Sequence, residues 1–240
     1  MSRPLGYIVA KVIVEISGKN DFSVTVTDTQ RRRILLGLFR NFYGDMPMST
    51  AVFDTSRIWC SKMALLTTLF PDVKVIAWVR EVPWILDSLE RLFIRHTLST
   101  NKILNFNPNG TVYSRTNSLV DAGGMVGFAL QATKDAFYGH YSREHLMLLR
   151  YESLVSDPRA AMCAVYKFLR ARWFDHDFRH VKYDANEFDT LLGLPGLHTV
   201  RGRVAVRRRK SILPTELFNR FTKESFWLDR SENYQRVLVV

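Results

Sequence analysis

Residues 79 to 92, VREVPWILDSLERL, carry the strongest local signal for chemistry in this 240-residue sequence. Arg80 follows an apolar run, and Ser88 comes eight residues later, about a turn and a half into a predicted helix. A guanidinium and a hydroxyl beside a helix N-terminus can bind phosphate, because their donors and the helix dipole all favour an oxyanion. The sequence therefore predicts a phosphate site here. The open alternative is that Arg80 pairs with Glu81 or Glu90 and that Ser88 is a small packing residue.

A second candidate is the segment from His198 to Ser211, HTVRGRVAVRRRKS, which we call the basic segment. It contains six basic side chains and no acidic one, and so carries more than half of the net charge of +11. Such an excess predicts an anionic partner, which could be nucleic acid, a membrane surface or a phosphorylated small molecule. The basic residues are Arg201, Arg203, Arg207, Arg208, Arg209 and Lys210.

The elements that would position these residues alternate between strand and helix. Val73 to Val79 is an almost wholly apolar, β-branched run, which is typical of a strand covered on both faces. Pro83 opens a helix, and His145 to Leu149 predicts a second strand. This order indicates an α/β fold with an open parallel sheet flanked by helices, whose ligands lie at the carboxyl ends of the strands.

The rest of the sequence predicts further helices within one domain of residues 1–240, and it contains no repeat and no low-complexity linker. Residues 99–118 are rich in Asn and are expected to be irregular. Helices are predicted over 28–43, 57–70, 119–138 and 158–169, over a short stretch after Asp184, and from Pro214 onwards.

Composition excludes several classes of protein. The chain is 47% hydrophobic and 24% charged, which is ordinary for a globular domain and atypical of a disordered chain. Cys60 and Cys163 lie far apart, so we expect no metal site or redox motif and a reducing compartment, the cytoplasm. The apolar stretch Tyr7 to Ile16 is too short for a membrane span, and no signal-peptide cleavage pattern follows it.

The order of strand, Arg80, Pro-containing turn and Ser88 resembles the 3′-phosphate motif of sulfotransferases that use 3′-phosphoadenosine 5′-phosphosulfate. Other segments agree, and together they are similar to the bacterial branch of that family from about Arg3 to Trp227. These segments are VFDTSRIW at 52–59, LFPDVKVIAWVREVPWILDS at 69–88, GTVYSR at 110–115, LLRYESLVSDP at 148–158, VYKFL at 165–169 and HDFRHVKYDANEFDTLLGLPGLHTVR at 176–201.

The resemblance implies a role for each matching residue. Arg80 and Ser88 would hold the 3′-phosphate of the cofactor, and the basic segment would fold over the nucleotide. The family's frequent Arg-Lys-Gly run is absent, so the resemblance leaves open which arginines touch phosphate. The candidates in that segment are Arg201, Arg203, Arg207, Arg208 and Arg209.

The resemblance also points to a base for the acceptor. Asp54 stands at a predicted strand end where related sulfotransferases carry an acidic or His base, and a carboxylate there could accept the proton of an attacking hydroxyl or amine. The competing interpretation is that Asp54 caps the helix that follows. Arg57 would neutralise charge on the phosphosulfate or pair with Asp54.

One part of the family pattern is missing from the sequence. Family members begin with a strand and a Pro-Arg-Ser-Gly-type loop that cradles the 5′-phosphosulfate, and nothing in these 240 residues matches it. Either the start codon has been placed too late or this is a truncated relative. The expected fold is therefore a P-loop-NTPase-like sheet without its first strand, which would leave the neighbouring strands without a hydrogen-bonding partner.

The function implied is transfer of a sulfuryl group from 3′-phosphoadenosine 5′-phosphosulfate, without a metal, to a hydroxyl or amine on a small molecule or peptide. We expect little turnover from the chain as written, because the loop is absent. The alternative is a non-catalytic nucleotide-binding domain or a basic nucleic-acid-binding domain. Nucleic acid is the less favoured partner, since no RNA- or DNA-binding motif is present and the charge clusters in one segment.

Overall fold

The structure, a computed structural model, describes residues 4–18, 20–44, 47, 51–96, 110–191, 195–200 and 202–240. It is a mixed α/β fold that is mostly helical, with a three-stranded parallel sheet in the order β1-β2-β3. The strands are β1 (Val75–Val79), β2 (Leu146–Arg150) and β3 (Leu238–Val239). The helices are α1 (Leu5–Ile16), α2 (Asp28–Tyr43), α3 (Met63–Leu69), α4 (Val82–Arg95), α5 (Val112–Val120), α6 (Met125–Tyr138), α7 (Ser142–His145), α8 (Tyr151–Ser156), α9 (Pro158–Leu169), α10 (Asn186–Leu191) and α11 (Thr215–Thr222).

The chain divides into two compact units, the first ending at Val73 and the second beginning at Lys74. In the first unit, α2 has the bounds predicted from the sequence. Thr27 and Gln30 form its capping box, and Gly44 ends it at a φ of 73°, which an L side chain rarely adopts. Aromatic contacts join α2 to the segment after it, because the Phe39 ring stacks on Trp59 at 5.8 Å between ring centroids.

The predicted helix over 57–70 is shorter and begins later than expected. A 3₁₀ helix covers Trp59–Lys62 and α3 covers Met63–Leu69. The strand expected to end at Asp54 is wrong, since residues 51–56 form no regular element. A short apolar run such as Ala51 to Phe53 becomes a strand only where a neighbouring strand pairs with it.

The second unit is built around β2. Leu146, Met147, Leu148 and Leu149 are all fully buried, as expected of a central parallel strand. Strand β1 pairs with it over its whole length, from Val75 opposite Leu146 to Val79 opposite Arg150, while β3 pairs on the other edge. Strand β1 thus bonds to β2 on one side and lies at the edge of the described sheet, and the expectation that a missing strand leaves its neighbours without a partner stays a prediction.

The segment predicted as one helix over 119–138 is two helices. Helix α5 ends at Val120 and α6 begins at Met125. A Cβ at Gly124 or Gly127 would overlap backbone carbonyl groups in residues 118–121, so these glycines allow the close packing that the break requires. The prediction of irregular structure over 99–118 is wrong from Val112 onwards, and residues 97–109 lie outside the described part of the chain.

The remaining predicted helices are confirmed with small shifts. Asp157 caps α9 by accepting a hydrogen bond from the Ala160 backbone N–H at 2.9 Å, and α11 begins directly after Pro214. Helix α4 begins at Val82 with a proline in its first turn. Its apolar face packs on α11 in a buried cluster that includes Leu86, Leu89, Leu217 and Phe221. Among the described residues, no helix is both long enough and apolar enough to cross a bilayer.

Candidate functional site

Arg80 and Arg150 lie side by side at the carboxyl edge of the sheet. Arg80 directly follows β1, and the register places Val79 opposite Arg150. The Arg80 guanidinium lies over the Tyr151 ring, 4.2 Å from its centroid. The Nε atoms of both arginines are buried, and neither has a hydrogen-bond partner. Buried unpaired donors cost free energy, so this edge of the sheet favours an acceptor-rich, anionic ligand.

Arg80 does not pair with the carboxylates that the alternative interpretation assigned to it. Glu90 is nearly buried and instead forms a bidentate ion pair with Arg115 of α5. No ion pair joins Arg80 to Glu81, which lies at the start of α4. The guanidinium of Arg80 thus keeps its donors for another acceptor.

Asp87, in the middle of α4, is the centre of the site. Its side chain is 0% exposed and accepts two hydrogen bonds, from Arg91 Nε at 3.0 Å and from the Ile212 backbone N–H at 2.8 Å. It also forms an ion pair with Arg209, whose Nη2 lies 2.6 Å from the carboxylate. Asp87 thereby fixes the last residues of the basic segment against α4.

Ser88 meets the basic segment directly. Its hydroxyl donates to the Trp84 carbonyl oxygen at 3.0 Å and accepts from Arg209 Nη2 at 2.8 Å. Arg209 lies 121 residues further along the chain, so the fold brings together two regions that the sequence analysis selected separately. Ser88 is therefore more than the packing residue of the alternative interpretation.

We call Arg80, Arg91 and Arg209 the arginine cluster. Burial lowers the pKa of Arg209, and the neighbouring charges of Arg80 and Arg91 lower it further, while Asp87 and Tyr151 act in the opposite direction. Two of the guanidinium groups, Arg91 and Arg209, pair with the one buried carboxylate of Asp87, and Arg80 acts on Arg209 by charge, so the cluster keeps an excess positive charge. A dianion such as a phosphate monoester would offset that excess and take up the free donors.

The other basic-segment candidates lie elsewhere or carry no contact that defines a site. Arg207 and Arg208 are exposed, and Arg201 lies outside the described residues. Arg203 lines a cavity formed with residues 175–179, and this cavity contains no member of the arginine cluster. The structure therefore brings Arg209, but not Arg203, to Arg80 and Ser88.

Asp54 and Arg57 belong to the first unit. The Asp54 carboxylate accepts a hydrogen bond from Trp59 Nε1 at 2.6 Å and another from the Tyr43 hydroxyl. It does not cap the next helix, because the 3₁₀ helix at Trp59 has Ile58 at its N-cap and no side-chain hydrogen bond there. Arg57 is exposed and forms no ion pair with Asp54.

Sequence reasoning missed the roles of Asp87 and Arg91 and the contact of Tyr151 with Arg80. A signal for the first two was present, since an acid and an arginine four residues apart on a helix are neighbours on its surface. The contact of Tyr151 with Arg80 had a weaker signal, because it follows only from the pairing of β1 with β2.

Nothing in the described ranges groups three or more His, Cys, Asp or Glu side chains in a way that could hold a metal ion. Comparisons with protein-family models, with curated proteins and with solved structures found no match to this chain.

Proposed function

We propose that this protein binds the 3′-phosphate end of 3′-phosphoadenosine 5′-phosphosulfate through Arg80, Ser88 and Arg209. The observation that carries the proposal is the hydrogen bond from Arg209 to Ser88 at 2.8 Å. It joins the local Arg-Ser motif to the basic segment, the two regions expected to meet on one phosphate.

The electrostatics of the arginine cluster support an anionic ligand. Arg209 lies near two other guanidinium groups and is only partly exposed, at 31% of its side chain. Repulsion among the three cations falls when a dianion lies between them. A phosphate monoester also supplies the acceptor oxygens that the Arg80 guanidinium lacks.

We further propose that the second unit is part of a P-loop-NTPase-like open sheet in one domain over residues 1–240. Support comes from three parallel strands and from the helices α4 and α8 that follow β1 and β2. Ligands of such sheets bind outside the carboxyl ends of the strands, where Arg80 and Arg150 lie. We place the protein in the cytoplasm, because Cys60 and Cys163 are free thiols, as is usual in a reducing compartment.

The reaction we propose is sulfuryl transfer to a hydroxyl or amine of a small molecule or peptide. The acceptor atom bonds to sulfur, the bond from sulfur to the bridging oxygen breaks, and the electron pair stays on the 5′-phosphate. Asp54 takes the acceptor's proton, and Arg57 stabilises negative charge. A carboxylate has about four acceptor positions, so Asp54 can accept this proton while Tyr43 and Trp59 hold it.

A second candidate function is nucleotide binding without transfer. The observation that favours it is that both Asp54 oxygens already accept hydrogen bonds from buried or half-buried aromatic side chains, a structural role sufficient in itself. Asp54→Asn separates the two functions. A catalytic Asp54 predicts that the small transfer activity expected of the wild type falls by about a hundredfold or more with nucleotide affinity unchanged, whereas the second candidate predicts that neither protein transfers the group.

The binding proposal is tested by calorimetry with adenosine 3′,5′-bisphosphate. Arg209→Gln should weaken binding by about tenfold or more, the loss expected for one charge-assisted contact. Arg207→Gln combined with Arg208→Gln should weaken it less, because these side chains only add to the local positive potential. Arg143→Gln, an exposed change of the same charge, is the matched control. Equal affinity for the wild type and Arg209→Gln contradicts the proposal.

A further inference from the structure

A cavity of about 640 Å³ lies away from the arginine cluster, between the segments 175–179 and 203–205. Two backbone hydrogen bonds hold these segments together. The Val204 N–H donates to the Phe178 carbonyl at 2.9 Å, and the Val181 N–H donates to the Gly202 carbonyl at 3.0 Å. Backbone hydrogen bonds between the two segments, and not side-chain contacts alone, therefore hold the walls of the cavity in place.

Two like charges line this cavity. Arg179 and Arg203 both line the cavity, one on each of the paired segments. Neither guanidinium forms an ion pair within the described part of the chain. Like charges on adjacent paired segments destabilise the pairing unless a counterion lies between them. This arrangement favours an anion at the cavity.

The two carboxylates at the cavity, Asp175 and Asp177, form no ion pair with these two arginines. Asp177 is bound to His180 Nδ1 at 2.8 Å and to the backbone N–H groups of Arg179 and His180. The hydrogen bond from the His180 side chain is the largest of the effects that lower the Asp177 pKa, so this carboxylate is ionised and already has its partners. Asp175 faces Arg159 instead, at 3.8 Å.

Aromatic rings form another wall of the cavity. The rings of Phe178 and His176 are stacked, with 5.6 Å between centroids and an interplanar angle of 28°. His176 Nε2 is held by the Tyr166 hydroxyl at 3.0 Å, and the Trp173 ring contacts both. These contacts fix the orientation of the imidazole, so that a rigid aromatic surface lies beside the two free cations.

We infer that this cavity is a binding site for a small aromatic anion, with its phosphate or other anionic group between Arg179 and Arg203 and its ring against Phe178 and His176. The volume suits a one-ring or two-ring molecule. This site is separate from the arginine cluster and does not depend on the function proposed above.

The test is calorimetry with phenyl phosphate, inorganic phosphate and benzyl alcohol, which separate the contributions of the charge and the ring. Phenyl phosphate should bind most tightly of the three. Arg179→Gln and Arg203→Gln should each weaken its binding about tenfold or more. Arg143→Gln combined with Arg230→Gln removes two exposed charges elsewhere and should leave the binding unchanged.

Two further variants identify the site and the role of the ring. Phe178→Leu should bring the affinity for phenyl phosphate down towards that for inorganic phosphate. Because the arginine cluster can also bind a phosphate monoester, the Arg179, Arg203 and Phe178 substitutions are measured in an Arg209→Gln background, which weakens that other site. The inference is overturned if phenyl phosphate does not bind in this background, or if Arg179→Gln and Arg203→Gln leave its affinity there unchanged. Thermal unfolding followed by circular dichroism is the control that checks that each variant is folded.

Discussion

Asp87→Asn should destabilise the protein by about 2 to 4 kcal/mol. The substitution keeps the shape of the side chain, and the amide oxygen can still accept the Ile212 backbone N–H. It removes the acceptor of the Arg91 hydrogen bond and the charged partner of the Arg209 ion pair, and each of these charged contacts is worth about 1.5 to 3 kcal/mol. Both guanidinium groups are about one-third exposed, so water can hydrogen-bond to them after the substitution. The net loss of stability is therefore smaller than the sum of the two contacts.

Urea and thermal unfolding followed by circular dichroism measure this loss. For a chain of this size, a change of about 2 to 4 kcal/mol lowers the melting temperature by roughly 5 to 15 °C. Glu187→Gln neutralises an exposed carboxylate on α10 and serves as the matched control, with almost no change expected. A loss below about 0.5 kcal/mol in Asp87→Asn, as for an ordinary surface substitution, would refute the view that Asp87 anchors the basic segment.

Two further predictions concern packing and pH. Gly127→Ala should lower the free energy of unfolding by about 1 to 3 kcal/mol, because the new Cβ would overlap the carbonyl groups at the end of α5. Gly123→Ala is the control, because a Cβ there meets open space. Equal losses of the two variants in urea unfolding would contradict the packing argument. Burial raises the pKa of Asp189, but hydrogen bonds from His198 outweigh it and hold that pKa below its usual value. The contact therefore stabilises the fold above about pH 4 and is lost as the pH falls further. Between about pH 6 and pH 3, the free energy of unfolding should fall more in the wild type than in Asp189→Asn. An equal fall in the two proteins would contradict this prediction.

Local patterns were enough to predict several elements of the fold. The capping residues of α2 and α9 lie next to apolar residues at helical spacing, and the run ending at Val79 is almost wholly apolar and rich in β-branched residues. These signals act within a few residues and need no knowledge of the rest of the chain. The pairing of β1 with β2 joins residues that are 71 positions apart, such as Val75 and Leu146, and no local pattern specifies such a partner.

The candidate site was predictable in its parts but not in its assembly. The types and spacing of Arg80 and Ser88, and the charge density of the basic segment, are visible in the sequence. Which arginine of that segment reaches Ser88 depends on the anchoring of Arg209 by the buried Asp87, a tertiary contact. The surroundings of Asp54 were missed for the same reason, because Tyr43 reaches it from the end of α2.

The affinity of Arg80→Gln for two related nucleotides tests the central claim most directly. Adenosine 3′,5′-bisphosphate and adenosine 5′-monophosphate differ only in the 3′-phosphate that Arg80 is proposed to hold. By calorimetry, the wild type should prefer the bisphosphate by about tenfold or more, and Arg80→Gln should lose most of that preference while binding the monophosphate as before. A preference of the same size in both proteins would contradict the claim.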